Sequence, residues 1–352
     1  MGGVQQQCQS WTTCSLAIVK TRRETFCASF CFETIERLQM AHNSYHVPVL
    51  ASEIVELLSG QPVGVVVDAT LGGGGHARAL LEGAPQLRIL GIDRDPDARA
   101  ASGERLREFG DRVRIVDATF GELAEVVKRH DDFIGDDPVV GVLMDLGVSS
   151  HQLDETSRGF SFRSNAPLDM RMDPTKGETA AEFLSRVDRH EFTRLLRANG
   201  EGRFASAIAK WVLELQPTTT DELTAAVERA VPAGARRRGH VATRVFQTLR
   251  IVVNAEEEQL VEGLEAALDV LSIGGVVAII SYHSGEDRVV KSVLHEAATG
   301  GCHCPLELGC ACGAVPRVTV YKASAKLSGV AEIAQNPRAR SARLRMARKV
   351  SP

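Results

Sequence analysis

No cysteine lies between residues 32 and 301. All eight fall outside that span, at Cys8, Cys14, Cys27 and Cys31 before it and at Cys302, Cys304, Cys310 and Cys312 after it. A secreted disulfide scaffold does not leave its core empty of cysteine, so that class is excluded. Long apolar runs are also missing. None approaches the roughly 18–20 residues a membrane-spanning helix needs. Ser15–Val19 is too short for the apolar core of a secretory signal and is not followed by a small-residue cleavage pattern. A cytoplasmic protein with no membrane partner is therefore expected. Net charge is slight, −4 over 352 residues, and does not by itself suggest a nucleic-acid ligand.

What is present is ordinary for a soluble globular chain: 44% hydrophobic and 24% charged residues, in a length that forms one large or two modest domains. The charge is unevenly spread. Residues 337–349 hold five arginines and one lysine with no acid, and Arg236-Arg237-Arg238-Gly239-His240 forms a second basic knot. Each reads either as a solvated tail or loop, or as a phosphate contact.

Hydrophobic periodicity organises the rest. Residues 1–41 lack it and read as a disordered extension or the product of an upstream start codon, with Met40 just ahead of the first patterned segment. A helix over 49–59 then leads into strand 63–69, helix 76–83, strand 87–93, helix 96–108, strand 113–117, helix 121–130 and strand 139–145. Such alternation predicts an α/β fold, a doubly wound, Rossmann-like parallel sheet with helices on both faces. The alternation stops at 149–240, a polar loop followed by helical segments at 180–198, 203–215 and 221–230. A long helical stretch, 241–271, returns to strand 275–283, helix 285–298 and strand 317–323. The expected domains are thus 42–148 with 241–336, a helical insertion at 149–240 that binds substrate, and a basic tail at 337–352.

The segment Asp68-Ala69-Thr70-Leu71-Gly72-Gly73-Gly74-Gly75-His76 joins the first strand to its helix, and Gly91-Ile92-Asp93-Arg94-Asp95 ends the second strand. Glycines there let the backbone turn sharply and leave no side chains between a ligand and a helix N-terminus. A carboxylate at Asp93 can accept hydrogen bonds from a ribose. Gly72-x-Gly74-x-x-Ala77 also fits the dinucleotide fingerprint, a weak signal alone. Asp68 would repel a pyrophosphate, whereas a sulfonium welcomes Asp68, Asp93, Asp95 and Asp145. The residues favour S-adenosylmethionine over NAD.

Further motifs follow in order: Leu143-Met144-Asp145-Leu146-Gly147-Val148-Ser149-Ser150-His151-Gln152-Leu153-Asp154, then Arg158-Gly159-Phe160-Ser161-Phe162 and Pro167-Leu168-Asp169-Met170-Arg171-Met172-Asp173. Later come Ala242-Thr243-Arg244-Val245-Phe246-Gln247-Thr248-Leu249-Arg250-Ile251, Ser281-Tyr282-His283-Ser284-Gly285-Glu286-Asp287-Arg288 and Asn336-Pro337-Arg338-Ala339-Arg340-Ser341. Together, over His46 to Lys349, they resemble the bacterial 16S rRNA cytosine-N4 methyltransferase family. Leu71, Gly73, Gly202 and Gly285 depart from its usual residues. The resemblance implies an S-adenosylmethionine methyltransferase domain acting on a cytidine of the decoding region in 16S rRNA or the small ribosomal subunit. It also implies that Gly74, Gly75 and His76 line the methionine and ribose part of the cofactor. Asp93 would then take the ribose hydroxyls, Phe120 approach the adenine, and Asp145 and Gln152 complete the pocket.

The exocyclic amine of cytosine is a poor nucleophile because its lone pair is delocalised into the ring. An acceptor at the amine favours the geometry in which that lone pair meets the methyl. Asp145, ending the fourth strand, is the candidate catalytic residue; its plain alternative is a cofactor or loop contact. Phe160, Phe162, Arg163, Arg171 and His283 either grip a splayed-out base or anchor their own loops. Cys302, Cys304, Cys310 and Cys312 could hold a structural zinc tetrahedrally or remain reduced thiols. Two other readings stand beside the methyltransferase: a nucleotide-dependent oxidoreductase on the same glycine loop, and a non-catalytic ribosome-binding factor.

Overall fold

The computed structural model describes residues 48–162, 165–236, 242–304, 311–321 and 326–352. The expected alternation is present. Helix α1 (Ala51–Ser59) precedes β1 (Gly64–Asp68), α2 (Gly75–Gly83), β2 (Leu87–Asp93), α3 (Pro96–Leu106), β3 (Val113–Asp117), α4 (Leu123–Arg129), the short α5 (Asp131–Ile134) and β4 (Val139–Asp145). All five residues of β1 are buried, which places it at the centre of a sheet covered on both faces. Alternate side chains serve opposite cores, as the two-residue strand period requires. Val65 and Val67 join the cluster that includes Leu123, Leu264 and Val290, while Val66 joins the one with Ile54, Leu80 and Leu106.

With β5 (Val276–Ser281), β6 (Val318–Val320) and β8 (Arg343–Lys349), the strand order is β3-β2-β1-β4-β5-β8-β6, and β7 (Lys326–Leu327) pairs β8 off the main path. β1 to β3 step outward one way and β4 (with β5, Val276–Ser281) steps the other, so the order reverses between β1 and β4. Ligands in doubly wound sheets bind at this switch point, beyond the carboxyl ends of the strands. Asp68, Asp93 and Asp145 all occupy those ends.

Between β4 and β5 lie α6 (Ser150–Asp154), α7 (Ala180–Arg186), α8 (Arg189–Ala198), α9 (Ala205–Leu215), α10 (Thr220–Ala230), α11 (Ala233–Arg236), α12 (Ala242–Val253) and α13 (Glu256–Val270). Most of them enclose a separate core around Phe183, Phe192, Ile208, Leu223 and Leu249. Three expectations need correction here. The stretch 180–198 is two helices, because Asp188 caps a new one through its side chain. The stretch 241–271 is also two helices, broken where Ala255 takes φ 50°. Asn254 occupies the break: its Nδ2 donates to the Met170 and Arg250 carbonyls and its Oδ1 accepts from the Met172 amide. On the N-terminal side of the break, Ala242, Val245, Phe246 and Leu249 of α12 pack in the same core as Phe183 and Phe192.

The third correction concerns the basic tail. Its residues Arg343–Lys349 form β8, antiparallel to β5 on one side and to β6 (Val318–Val320) on the other. Leu344 and Ala347 are fully buried. Arg343 and Arg345 pair with Asp287 on α14 (Ser284–Thr299), Arg348 donates to the Tyr321 hydroxyl, and Lys349 to the Asp269 carbonyl. These cations therefore hold the sheet edge to its flanking helices. The expected contact at Arg237, Arg238, Gly239 and His240 lies outside the described residues, as do Arg163 and residues 1–47.

Candidate active site

The switch point opens into a cavity of about 400 Å³. Its floor is built by strand ends and the glycine loop. Gly72 and Gly74 take φ 52° and 74°, conformations that side chains with a Cβ rarely adopt, and Gly74 is the N-cap of α2. The turn is fixed from below by Asp93, whose Oδ2 accepts from the Gly72 amide at 2.7 Å and whose Oδ1 accepts from the Asp95 amide at 2.8 Å. Thr70 ties the adjacent strand in, its Oγ1 accepting from the Asp145 amide at 2.6 Å.

Of the residues singled out in the sequence, Gly75, His76, Asp93, Phe120, Asp145 and Gln152 all line this cavity. Gly74 shapes the loop without lining it, and Asp68 lies beneath, 1% exposed, accepting from the Thr70 amide. His76 bonds through Nε2 to the Val49 carbonyl at 2.8 Å and presents Nδ1 to Asp145 Oδ2 at 3.7 Å. Gln152 donates to Asp95 Oδ2 at 2.8 Å, while Ser149 and Gln152 cap α6 reciprocally.

The carboxyls here are electrostatically poised. Burial pushes Asp68 up to about 7, against the pull of His76 and the Thr70 amide. Burial likewise lifts Asp93 to about 6, although the Asp95 and Gly72 amides favour its charged form. Asp145 is raised for the same reason, in spite of His76 and the hydroxyl of Tyr282, which donates to its Oδ1 at 2.8 Å.

Tyr282 is the neighbour to which sequence reading assigned no role. Burial and the adjacent Asp145 carboxyl hold its own hydroxyl well above the usual tyrosine range, so it remains a donor. It is positioned by Glu286, which accepts from the Tyr282 amide at 2.8 Å and pairs with His283 and Arg250. Burial pushes Glu286 up, but His283 and Arg250 outweigh it and the net shift is downward. The signal was legible: His283-x-x-Glu286 directly after a strand has capping-box spacing, and the two do cap α14. Arg250 and Glu256 face the cavity as a buried pair, and Asn336, Arg338 and Ser341 border it from the segment before β8.

Other candidates settle into structural roles. Phe160 is buried in the insertion core, and Phe162 packs edge-on against Phe246 with centroids 5.6 Å apart. Arg171 forms a two-pronged pair with Asp169, and His283 is a helix cap. Far from the cavity lining, Cys302, Cys304 and Cys312 bring their sulfurs within 4.8 Å of one another; Cys310 lies outside the described residues.

Residues 43–350 match the MraW methylase family. A ribosomal RNA small subunit methyltransferase H of Geobacter sulfurreducens is 46% identical over 312 residues, covering 87% of this chain and 99% of that protein. The protein of the same name from Heliobacterium modesticaldum is 45% identical over 313 residues, with 87% and 99% covered. That from Symbiobacterium thermophilum is 45% identical over 309 residues, with 86% and 95% covered. With the glycine loop, the switch-point carboxyls and a match over nearly the whole described chain, this protein belongs to the MraW methylase family.

Proposed function

We propose that this enzyme transfers a methyl group from S-adenosylmethionine to the exocyclic N4 amine of a cytidine in the decoding region of small-subunit ribosomal RNA. The observation that carries the reading is a group of acids at and beneath the cavity, Asp68, Asp93 and Asp145, none of which forms an ion pair with an arginine among the described residues.

The residues fit the cofactor on three counts. A cavity with acids lifted by burial gains most from a cationic ligand. The approach at the loop is close, since a Cβ at Gly75 would stand 3.3 Å from Pro48. Arg94, which lines the cavity, leaves its buried Nε without a hydrogen-bond partner in the protein. In this reading Asp93 accepts from the ribose hydroxyls, Gly75 and His76 border the methionine part, and Phe120 and Gln152 flank the remainder. The bound cofactor supplies an electrophilic methyl on a sulfonium.

Asp145 does the orienting. Tyr282 holds one carboxyl oxygen and His76 stands beside the other, so the group cannot swing away from the cavity. It accepts a hydrogen bond from the incoming amine and thereby turns the nitrogen lone pair toward the methyl. Asp145 would also be placed to take the proton that the amine loses on methylation. The helical insertion, joined to β4 at the mouth of the cavity, serves as the RNA-gripping part, with Arg338 at the border.

The test is direct. Small subunits from a strain lacking the enzyme are incubated with methyl-labelled S-adenosylmethionine and the protein, then digested to nucleosides. Label in N4-methylcytidine is expected, and Asp145→Asn should reduce it by about 10²–10⁴-fold. Label in another nucleoside, or none while the cofactor binds, would overturn the assignment and leave a non-catalytic ribosome-binding factor. Binding of NAD in preference would restore the oxidoreductase reading.

A further inference from the structure

We infer that the connection between α14 and β6 carries a structural zinc site held by the thiolates of Cys302, Cys304 and Cys312. Three sulfurs within 4.8 Å of one another match what a tetrahedral ion needs. Zinc–sulfur bonds of about 2.3 Å at tetrahedral angles put sulfurs roughly 3.8 Å apart.

The backbone brings the two cysteine-bearing arms together independently of any ion. Gly300 ends α14 at φ 62°, and a Cβ there would lie 2.5 Å from the Val315 carbonyl oxygen, so the arms touch backbone to backbone. Cys302 donates its amide to the Thr299 carbonyl, and Arg317 donates its own to the Ala297 carbonyl at 2.8 Å. The Cys304 amide points at Cys302 Sγ at 3.5 Å, a contact that favours a charged sulfur. A short-spaced pair, Cys302 and Cys304, meeting Cys312 from the other arm is what a metal requires; a single disulfide would leave a third thiol inside the cluster.

The ion would act as a staple. Just beyond the cluster, Arg317 reaches Glu265 and Asp269 on α13, and its carbonyl accepts from the Val350 amide. Fixing the loop therefore steadies the sheet edge made by β6 and β8. None of the three cysteines lines the cavity, so cofactor affinity should not depend on the metal. Each thiol loses its proton on binding, so metal affinity should fall in acid.

The test uses the full chain, purified under reducing conditions, with zinc measured by elemental analysis and cobalt(II) as the spectroscopic probe. One zinc per chain is expected, together with the intense visible bands of tetrahedral cobalt thiolate on replacement. Chelation should lower the melting temperature while leaving S-adenosylmethionine affinity within twofold. Cys302→Ser with Cys312→Ser should abolish cobalt uptake. Failure of the reduced wild-type chain to take up zinc or cobalt overturns the proposal without reference to any variant. Equal uptake by the double variant, or a disulfide among these cysteines in the native protein shown by alkylation and mass spectrometry, overturns it as well.

Discussion

Asp93 and Asp95 stand two residues apart, one half-buried at the cavity and the other fully buried, and are built into opposite arrangements. Asp95, 0% exposed, is surrounded by donors: Arg158 bridges both its oxygens, Gln152 donates to Oδ2, and the Asp97 amide donates to Oδ1. Arg158 reaches on to the Arg171 and Met172 carbonyls, so this ion pair fastens the first loop of the insertion to the sheet. Asp93 receives two backbone amides and no guanidinium at its carboxyl, and with Asp68 and Asp145 it borders or underlies an open cavity. The difference separates structure from chemistry. A buried acid given its own cation is a fastener. A buried acid left without one keeps a cost that a cationic ligand can relieve.

The comparison breaks most visibly if the fastener loses its cation. Arg158→Met leaves Asp95 buried and unpaired, and stability should fall by about 3–5 kcal/mol in urea unfolding. Adding Asp95→Asn should recover part of the loss, since the stranded charge is removed. A loss under about 1 kcal/mol would mean that Asp95 needs no cation and that the two acids do not differ as described.

On the cavity side the reverse holds, because removing an acid should hurt binding more than folding. Asp93→Ala should weaken S-adenosylmethionine binding by about 1–3 kcal/mol, read by calorimetry. Its folding cost should be smaller than that of Arg158→Met, although two loop amides lose their acceptor. Unchanged affinity would remove Asp93 from the site.

Proton linkage sharpens the same contrast. Asp68 and Asp93 are lifted by burial to about 7 and about 6, above their ordinary carboxyl values, so at these two sites the ligand-free fold keeps protons that the unfolded chain has released. Their contribution to stability should then decline as pH rises from near 4 through 7. A cationic ligand favours the ionised acids, so binding should release protons, and affinity should climb between about pH 5.5 and 7.5 before levelling. Calorimetry in buffers of different ionisation enthalpy would count the protons. An affinity flat across that window would show the acids already ionised.

Much of this was legible in the residues, and the exceptions share one cause. The βα alternation, the glycine loop and the acids at strand ends are local patterns, and each lies where periodicity put it. The basic run 337–349 was misread because local composition cannot tell a solvated arginine from one that faces a partner such as Asp287, 56 residues away from Arg343 in sequence. The break in 241–271 was hidden because Asn254 and Ala255 are both acceptable in helices. It is enforced by Met170 and Met172, more than 80 residues earlier. Tyr282 carried no signal as a partner of Asp145, since the two meet only when β4 and β5 pair, with Asp145 opposite Ile280. Long-range pairing, not local preference, decided each of these.

Deleting a single hydroxyl isolates that last contact. Tyr282→Phe keeps the ring and deletes the hydroxyl that donates to Asp145 Oδ1. A hydrogen bond to a charged carboxyl contributes about 1.5–3 kcal/mol, so kcat should drop roughly 12- to 140-fold, at about 1.4 kcal/mol per tenfold. KM for the cofactor should hold, because the change acts through the carboxyl proposed to receive the amine. The pH profile separates a positioning role from simple loosening. Donation from Tyr282 favours the ionised carboxyl, against the burial that raises it. Without the hydroxyl, Asp145 rises further, and the acid limb of kcat should move to higher pH. A reduced kcat with an unmoved acid limb would make Tyr282 a packing residue, and Asp145 would then be oriented by His76 alone.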